Sequence, residues 1–144
     1  MRILVCCALF FVLSGANEKL YNELFMYYGA KYHIPPVLLW AIAKTESNFN
    51  HRAKNINKNG SVDIGLMQIN SIHENTLKRK NLSLNDLYTP SVNVEMGAFV
   101  LSKCIAKHGI SNKGLNCYNG NTQNNTYSYK VIKHLQTKRK EIIK

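Results

Sequence analysis

The run Val37-Leu38-Leu39-Trp40-Ala41-Ile42-Ala43 is apolar at every position. A helix with no polar face has no stable place on a surface and belongs inside a core. Pro35-Pro36 ahead of it suits a first helical turn, because proline's fixed φ is already helical and its missing N–H would find no partner there. The rest of the chain must therefore wrap this rod. Residues 18–33 carry Leu20, Leu24, Phe25, Tyr28 and Tyr32 near the helical period, and His33-Ile34-Pro35-Pro36 stops that element. Pro90-Ser91 opens another helix, apolar at Val92, Val94, Met96, Phe99, Val100, Leu101 and Ile105, with Gly109 as its C-cap. Thr126 to Lys144 reads as a last amphipathic helix with Tyr127, Val131 and Leu135 on one side. No alternating run is long enough to predict a sheet. With 144 residues, 45% hydrophobic and 19% charged, the expectation is one mainly α domain with a single core, not a disordered chain.

Residues 1–16 read as a secretory signal peptide, leaving a domain over 17–144. Met1-Arg2 gives a positive end, Ile3 to Leu13 an apolar run, and Ser14-Gly15-Ala16 the small residues of a cleavage site. Eleven apolar residues rise only about 16 Å as a helix, short of a bilayer core of about 30 Å, so no stable membrane anchor is expected. Export would remove Cys6 and Cys7 and leave Cys104 and Cys117, two thiols in an oxidising compartment, which points to one disulfide; free thiols are the alternative. The net charge of +11 favours a polyanionic partner. An exported protein rarely meets nucleic acid, so the acidic cell wall is the better candidate.

Glu46 ends the apolar rod. A carboxyl there faces a cleft beside the core, where desolvation raises its pKa and makes it a usable general acid, or it pairs on the surface with Lys44 or Arg52. Residues 50–61 are polar and rich in Asn and Lys, which predicts a surface loop, and Ser71-Ile72-His73-Glu74 fits a capping box. Asp63 lies on the segment that follows the loop. It is a second carboxylate for the chemistry, or a cap for the turn at Gly65. The histidines at 33, 51, 73, 108 and 134 are scattered, and Leu77 stands where a zinc-protease motif begun by His73-Glu74 needs its second histidine, so neither a metal nor a cofactor is expected.

Glu46-Ser47, Gly65-Leu66-Met67-Gln68-Ile69-Asn70 and Tyr118-Asn119-Gly120 stand in an order and spacing that resembles lytic transglycosylases of the soluble, goose-lysozyme-like type. Pro90, Asn93, Gly97, Leu101 and His108-Gly109 match the same family's pattern, and the likeness runs over about residues 21–121. The resemblance implies a lysozyme-like domain with a substrate cleft and cleavage of peptidoglycan glycan strands between N-acetylmuramic acid and N-acetylglucosamine. Glu46 would act as acid and then base, closing a 1,6-anhydro ring. Met67, Gln68, Asn70, Tyr118 and Asn119 would line the cleft, although Leu66 reads as core and Asn119-Gly120 also suits a plain turn. Asp63 would be an auxiliary carboxylate, and if it directs water the outcome shifts to hydrolysis by a muramidase; a non-catalytic wall-binding assembly factor is the rival from another class. Size, leader and the Asp63-Ile64-Gly65 lead-in are similar to small periplasmic members that serve secretion, conjugation or pilus machines. Cys117 departs from the family, which more often shows alanine there; bonded to Cys104, it would tether Tyr118.

Overall fold

The structure, a computed structural model, describes residues 4–122 and 126–142. The helices are α1 (Leu4–Tyr32), α2 (Pro36–Ser47), α3 (Glu74–Lys78), α4 (Pro90–His108), α5 (Asn112–Tyr118) and α6 (Tyr127–Ile142), and three short strands, β1 (Lys54–Ile56), β2 (Val62–Ile64) and β3 (Ile69–Asn70), follow α2. Of the expected leader, residues 1–3 lie outside the described residues, and the backbone of 4–16 forms the first part of α1. Among the described residues no helix is long and apolar enough to cross a membrane.

The apolar rod is α2, and it is central. Leu38, Leu39, Ala41, Ile42 and Ala43 are buried, and α1 and α6 pack against it. Burying Leu39 and Ile42 completely contributes roughly 1.5–3 kcal/mol each. Pro36 begins the helix, and Asn48 ends it in the left-handed conformation with its N–H directed at the carbonyls of Ala43 and Lys44. Phe49 follows with φ of 65°, a region that bulky residues seldom occupy. The reversal drops the Phe49 ring among Tyr21 and Trp40, with centroids 6.4 and 5.5 Å away. The second long helix, α4, buries Val94, Met96, Ala98 and Leu101 and packs against α1 and α5.

Two expectations are corrected. The polar stretch 50–61 is not all loop: β1 pairs antiparallel with β2, and β2 with β3. Strands of two or three residues show no alternation, and the turn between β1 and β2 is held by Asn57, whose N–H bonds the Ser61 carbonyl at 2.9 Å and whose amide donates to Ser61 Oγ at 3.1 Å. The capping box at Ser71 does not form. Asn70 caps the 3-10 turn Ser71–His73 by accepting from Ile72 N at 3.0 Å, while Ser71 Oγ accepts from Val62 N and ties the turn to β2. A capping box sits instead at Ser83, whose side chain accepts from the Asp86 backbone N–H while its own backbone N–H donates to the Asp86 carboxylate.

Candidate active site

Glu46 lies in the last turn of α2, and its neighbour Ser47 donates a 2.6 Å hydrogen bond to the carbonyl of Leu66. That bond clamps the end of the buried helix to the segment Gly65–Gln68. The segment turns sharply, with φ of 80° at Gly65 and 49° at Gln68. Gly65 has no substitute, because a Cβ there would stand 2.2 Å from the Asn93 amide nitrogen and 2.4 Å from the Leu87 carbonyl. Asn93, on α4 and fully buried, donates to the carbonyls of Ile64 and Leu87 and accepts from Met67 N. Both polar atoms of its side chain are thus hydrogen-bonded, as burial demands.

The expected site residues take different places. Glu46, Asp63, Gln68, Asn70, Tyr118 and Asn119 all border one cavity of about 740 Å³, with the sheet and its turns on one wall and α4 and α5 on the other. Met67 does not border it. Its side chain is fully buried over Gly97, where a Cβ would lie 2.4 Å from Met67 Sδ, and its contribution is its backbone carbonyl, which accepts from the Tyr118 hydroxyl at 2.8 Å. Leu66 is fully buried, as expected for core. Gln68 directs its amide to the Gly65 carbonyl at 2.9 Å, leaving its oxygen as an acceptor. Cys104 and Cys117 are disulfide-bonded and fasten α4 to the residue before Tyr118.

Burial pushes the Glu46 carboxyl up to about 7, with the nearby charge of Asp63 adding to the rise; the Tyr127 hydroxyl and the ammonium of Lys130 pull it partly back. A carboxyl at that value holds its proton near neutral pH and can also give it up, the property a general acid needs. Tyr118 and Tyr127 are raised well above the ordinary phenol value by burial and then by Glu46, so both remain neutral donors.

Asp63 occupies the middle of the sheet. Its cross-strand neighbours are Asn55 and Asn70, and it accepts from three amides: Asn70 at 2.7 Å, Asn57 at 2.8 Å and Asn55 at 3.4 Å. These donors fix the position of its carboxyl group in the cavity wall. Sequence reasoning missed Asn57, Asn55 and Tyr127. Tyr127 looked like a core aromatic of α6; the available signal was that a buried tyrosine hydroxyl needs a polar partner. Among the described residues no three of His, Cys, Asp and Glu cluster as metal ligands.

The profile of the Transglycosylase SLT domain matches residues 23–140. The chain belongs to the transglycosylase SLT family. It is 39% identical over 95 residues to protein IpgF of Shigella flexneri, covering 65% of this chain and 62% of that protein. It is 39% identical over 92 residues to invasion protein IagB of Salmonella typhi, covering 63% and 58%. The X polypeptide of Escherichia coli is 34% identical over 118 residues, covering 81% of this chain and 68% of that one. The chain thus spans less than two thirds of the length of IpgF and IagB. Its fold matches the X-ray structure of an inactive mutant of the lytic transglycosylase Slt from Pseudomonas aeruginosa, with a TM-score of 0.60 at 20% identity over 79% of this chain and 21% of that one. The SLT domain here is mainly helical and lysozyme-like, with the disulfide as its covalent tie.

Proposed function

We propose that this SLT-family chain is a peptidoglycan lytic transglycosylase, and that Glu46 performs both proton transfers. The observation that carries this reading is a carboxyl raised to about 7 in the wall of a cavity of about 740 Å³. Protonated Glu46 gives its proton to the glycosidic oxygen between N-acetylmuramic acid and N-acetylglucosamine as that bond breaks. The resulting carboxylate takes the proton of the muramoyl C6 hydroxyl, whose oxygen attacks the anomeric carbon and closes the 1,6-anhydro ring. One carboxyl serves twice and no water is consumed. Tyr127 and Lys130 favour the ionised form that exists between the two steps. Asp63 supplies negative charge opposite the positive charge that develops on the sugar.

A muramidase is the second reading, and the carboxylate of Asp63 in the same cavity is what favours it. Three amides already occupy Asp63, which suits a fixed charge better than a base that must release and rebind a proton. Mass spectrometry of the muramoyl ends after digestion of purified peptidoglycan decides: anhydro ends support transglycosylation, reducing ends support hydrolysis, and intact glycan supports a non-catalytic binding role. The leader over 1–16 and the likeness to IpgF and the invasion protein IagB support export to the periplasm and local wall opening for a secretion, conjugation or pilus apparatus.

A further inference from the structure

The cavity holds two cations that the proton-transfer scheme does not use. Lys103 projects from α4 on one wall, and Lys58 from the turn between β1 and β2 on the other. Both are exposed, and among the described residues neither forms an ion pair. Lys103 Nζ sits 5.3 Å from the centroid of the Phe99 ring, which also borders the cavity, so its ammonium is held at the rim. The carboxylates of the same cavity are otherwise engaged: Asp63 is satisfied by three amides, and Glu46 is raised toward its neutral form. Two positive charges flanking one opening, neither held in an ion pair, attract an anion on whatever enters it.

We propose that Lys58 and Lys103 form a carboxylate-reading rim, selecting glycan whose muramoyl residues carry an acidic arm. The proposal rests on peptidoglycan being the substrate. The carboxylate can belong to the stem peptide or, where an amidase has removed that peptide, to the lactyl group itself. A neutral glycan offers neither, and would gain nothing from the rim. The two ammonium groups touch no reacting atom, so they act on binding and not on the bond-breaking step.

The test uses the full chain carrying Glu46→Gln, so that polymer is bound and not consumed. Co-sedimentation is measured with intact peptidoglycan, with amidase-stripped peptidoglycan and with chitin, whose sugars carry no carboxylate. Adding K58Q and K103Q together is expected to weaken binding to peptidoglycan roughly tenfold and leave chitin binding unchanged. Loss confined to intact polymer assigns the stem peptide; loss on the stripped polymer assigns the lactyl carboxylate. The pair K133Q and R139Q on α6 removes the same charge away from the cavity and should weaken binding less than twofold. An equal loss from both pairs, or none from K58Q and K103Q, overturns the rim. If in that case the unsubstituted chain still cleaves peptidoglycan, the catalytic reading survives without it; binding to no polymer overturns both.

Discussion

The Ser47 hydroxyl lies 2.6 Å from the Leu66 carbonyl and donates to it, so the residue after Glu46 also fixes how far Glu46 stands from the Gly65–Gln68 turn. The Tyr118 hydroxyl does the same from the other side through the Met67 carbonyl. The three segments that resemble a family signature are thus joined by direct hydrogen bonds. The spacing between motifs in the sequence reflects contacts in space.

Glu46→Gln keeps the shape of the side chain and removes its proton. Glycan release should fall by about a thousandfold or more, consistent with the upper range for a general acid, while the circular dichroism spectrum stays unchanged. Retained release of soluble fragments would remove Glu46 from the mechanism.

The raised value of Glu46 has two pH signatures. Activity needs the protonated acid, so the rate should decline above about pH 7. Stability moves the same way. Below 4.5 the carboxyl is protonated in both folded and unfolded chains; between 4.5 and about 7 only the folded chain keeps the proton, so stability falls as pH rises through that window and is level above it. The ionised form costs about 3 kcal/mol in the fold. Glu46→Gln should therefore raise the thermal midpoint at pH 8 and leave it nearly unchanged at pH 4, as a melting series across pH would show.

Asp63→Asn removes the charge that adds to the rise of Glu46 but leaves the burial that is its larger cause. The alkaline limb of the rate profile should shift to lower pH while staying above 4.5. A limb that stays in place or moves upward contradicts the electrostatic role given to Asp63. Anhydro ends should persist in the products of this variant, whereas reducing ends from the unsubstituted chain that give way to anhydro ends in the variant would assign water activation to Asp63.

Asn93→Ala strands the Ile64 and Leu87 carbonyls and the Met67 N–H inside the core. Each stranded group costs about 1–3 kcal/mol, so the variant should lose roughly 3–5 kcal/mol in urea unfolding even after partial repacking. A loss below about 1 kcal/mol would show that water replaces the amide.

The Cys104–Cys117 bond closes a loop with a sequence separation of 13. Its removal by Cys104→Ser with Cys117→Ser should cost about 3 kcal/mol through the greater freedom of the unfolded chain. Denaturation with and without reductant measures this, and a thiol titration finding two free cysteines in oxidised protein that lacks residues 1–16, and with them Cys6 and Cys7, would exclude the bond.

Much of this arrangement is written locally. Pro36 and the apolar run mark α2, Pro90 marks the start of α4 and Gly109 its end, because proline fixes φ near the helical value and glycine accepts the positive φ at which the helix stops. Glu46 was legible because a carboxyl terminates a greasy helix. The strands were not: β1 is exposed along its length and its pairing depends on partners six to ten residues away. Nor was α5, only seven residues long and started by Ser111 accepting from Gly114 N. Sequence placed Met67 next to the acid, but which way its side chain turns depends on the space above Gly97 on a distant helix. Tyr127 was hidden for the same reason: its side chain meets the site only once α6 has packed on α2.

The stretch from Ile64 to Met67 is gripped almost entirely by its main chain: Ser47, Asn93 and Tyr118 reach peptide groups there, not side-chain ends. Away from Gly65, such a grip is indifferent to spelling but strict about length. Ile64 and Leu66 can be exchanged for other apolar residues of similar bulk, whereas inserting or deleting one residue would misalign every peptide with its clasp at once.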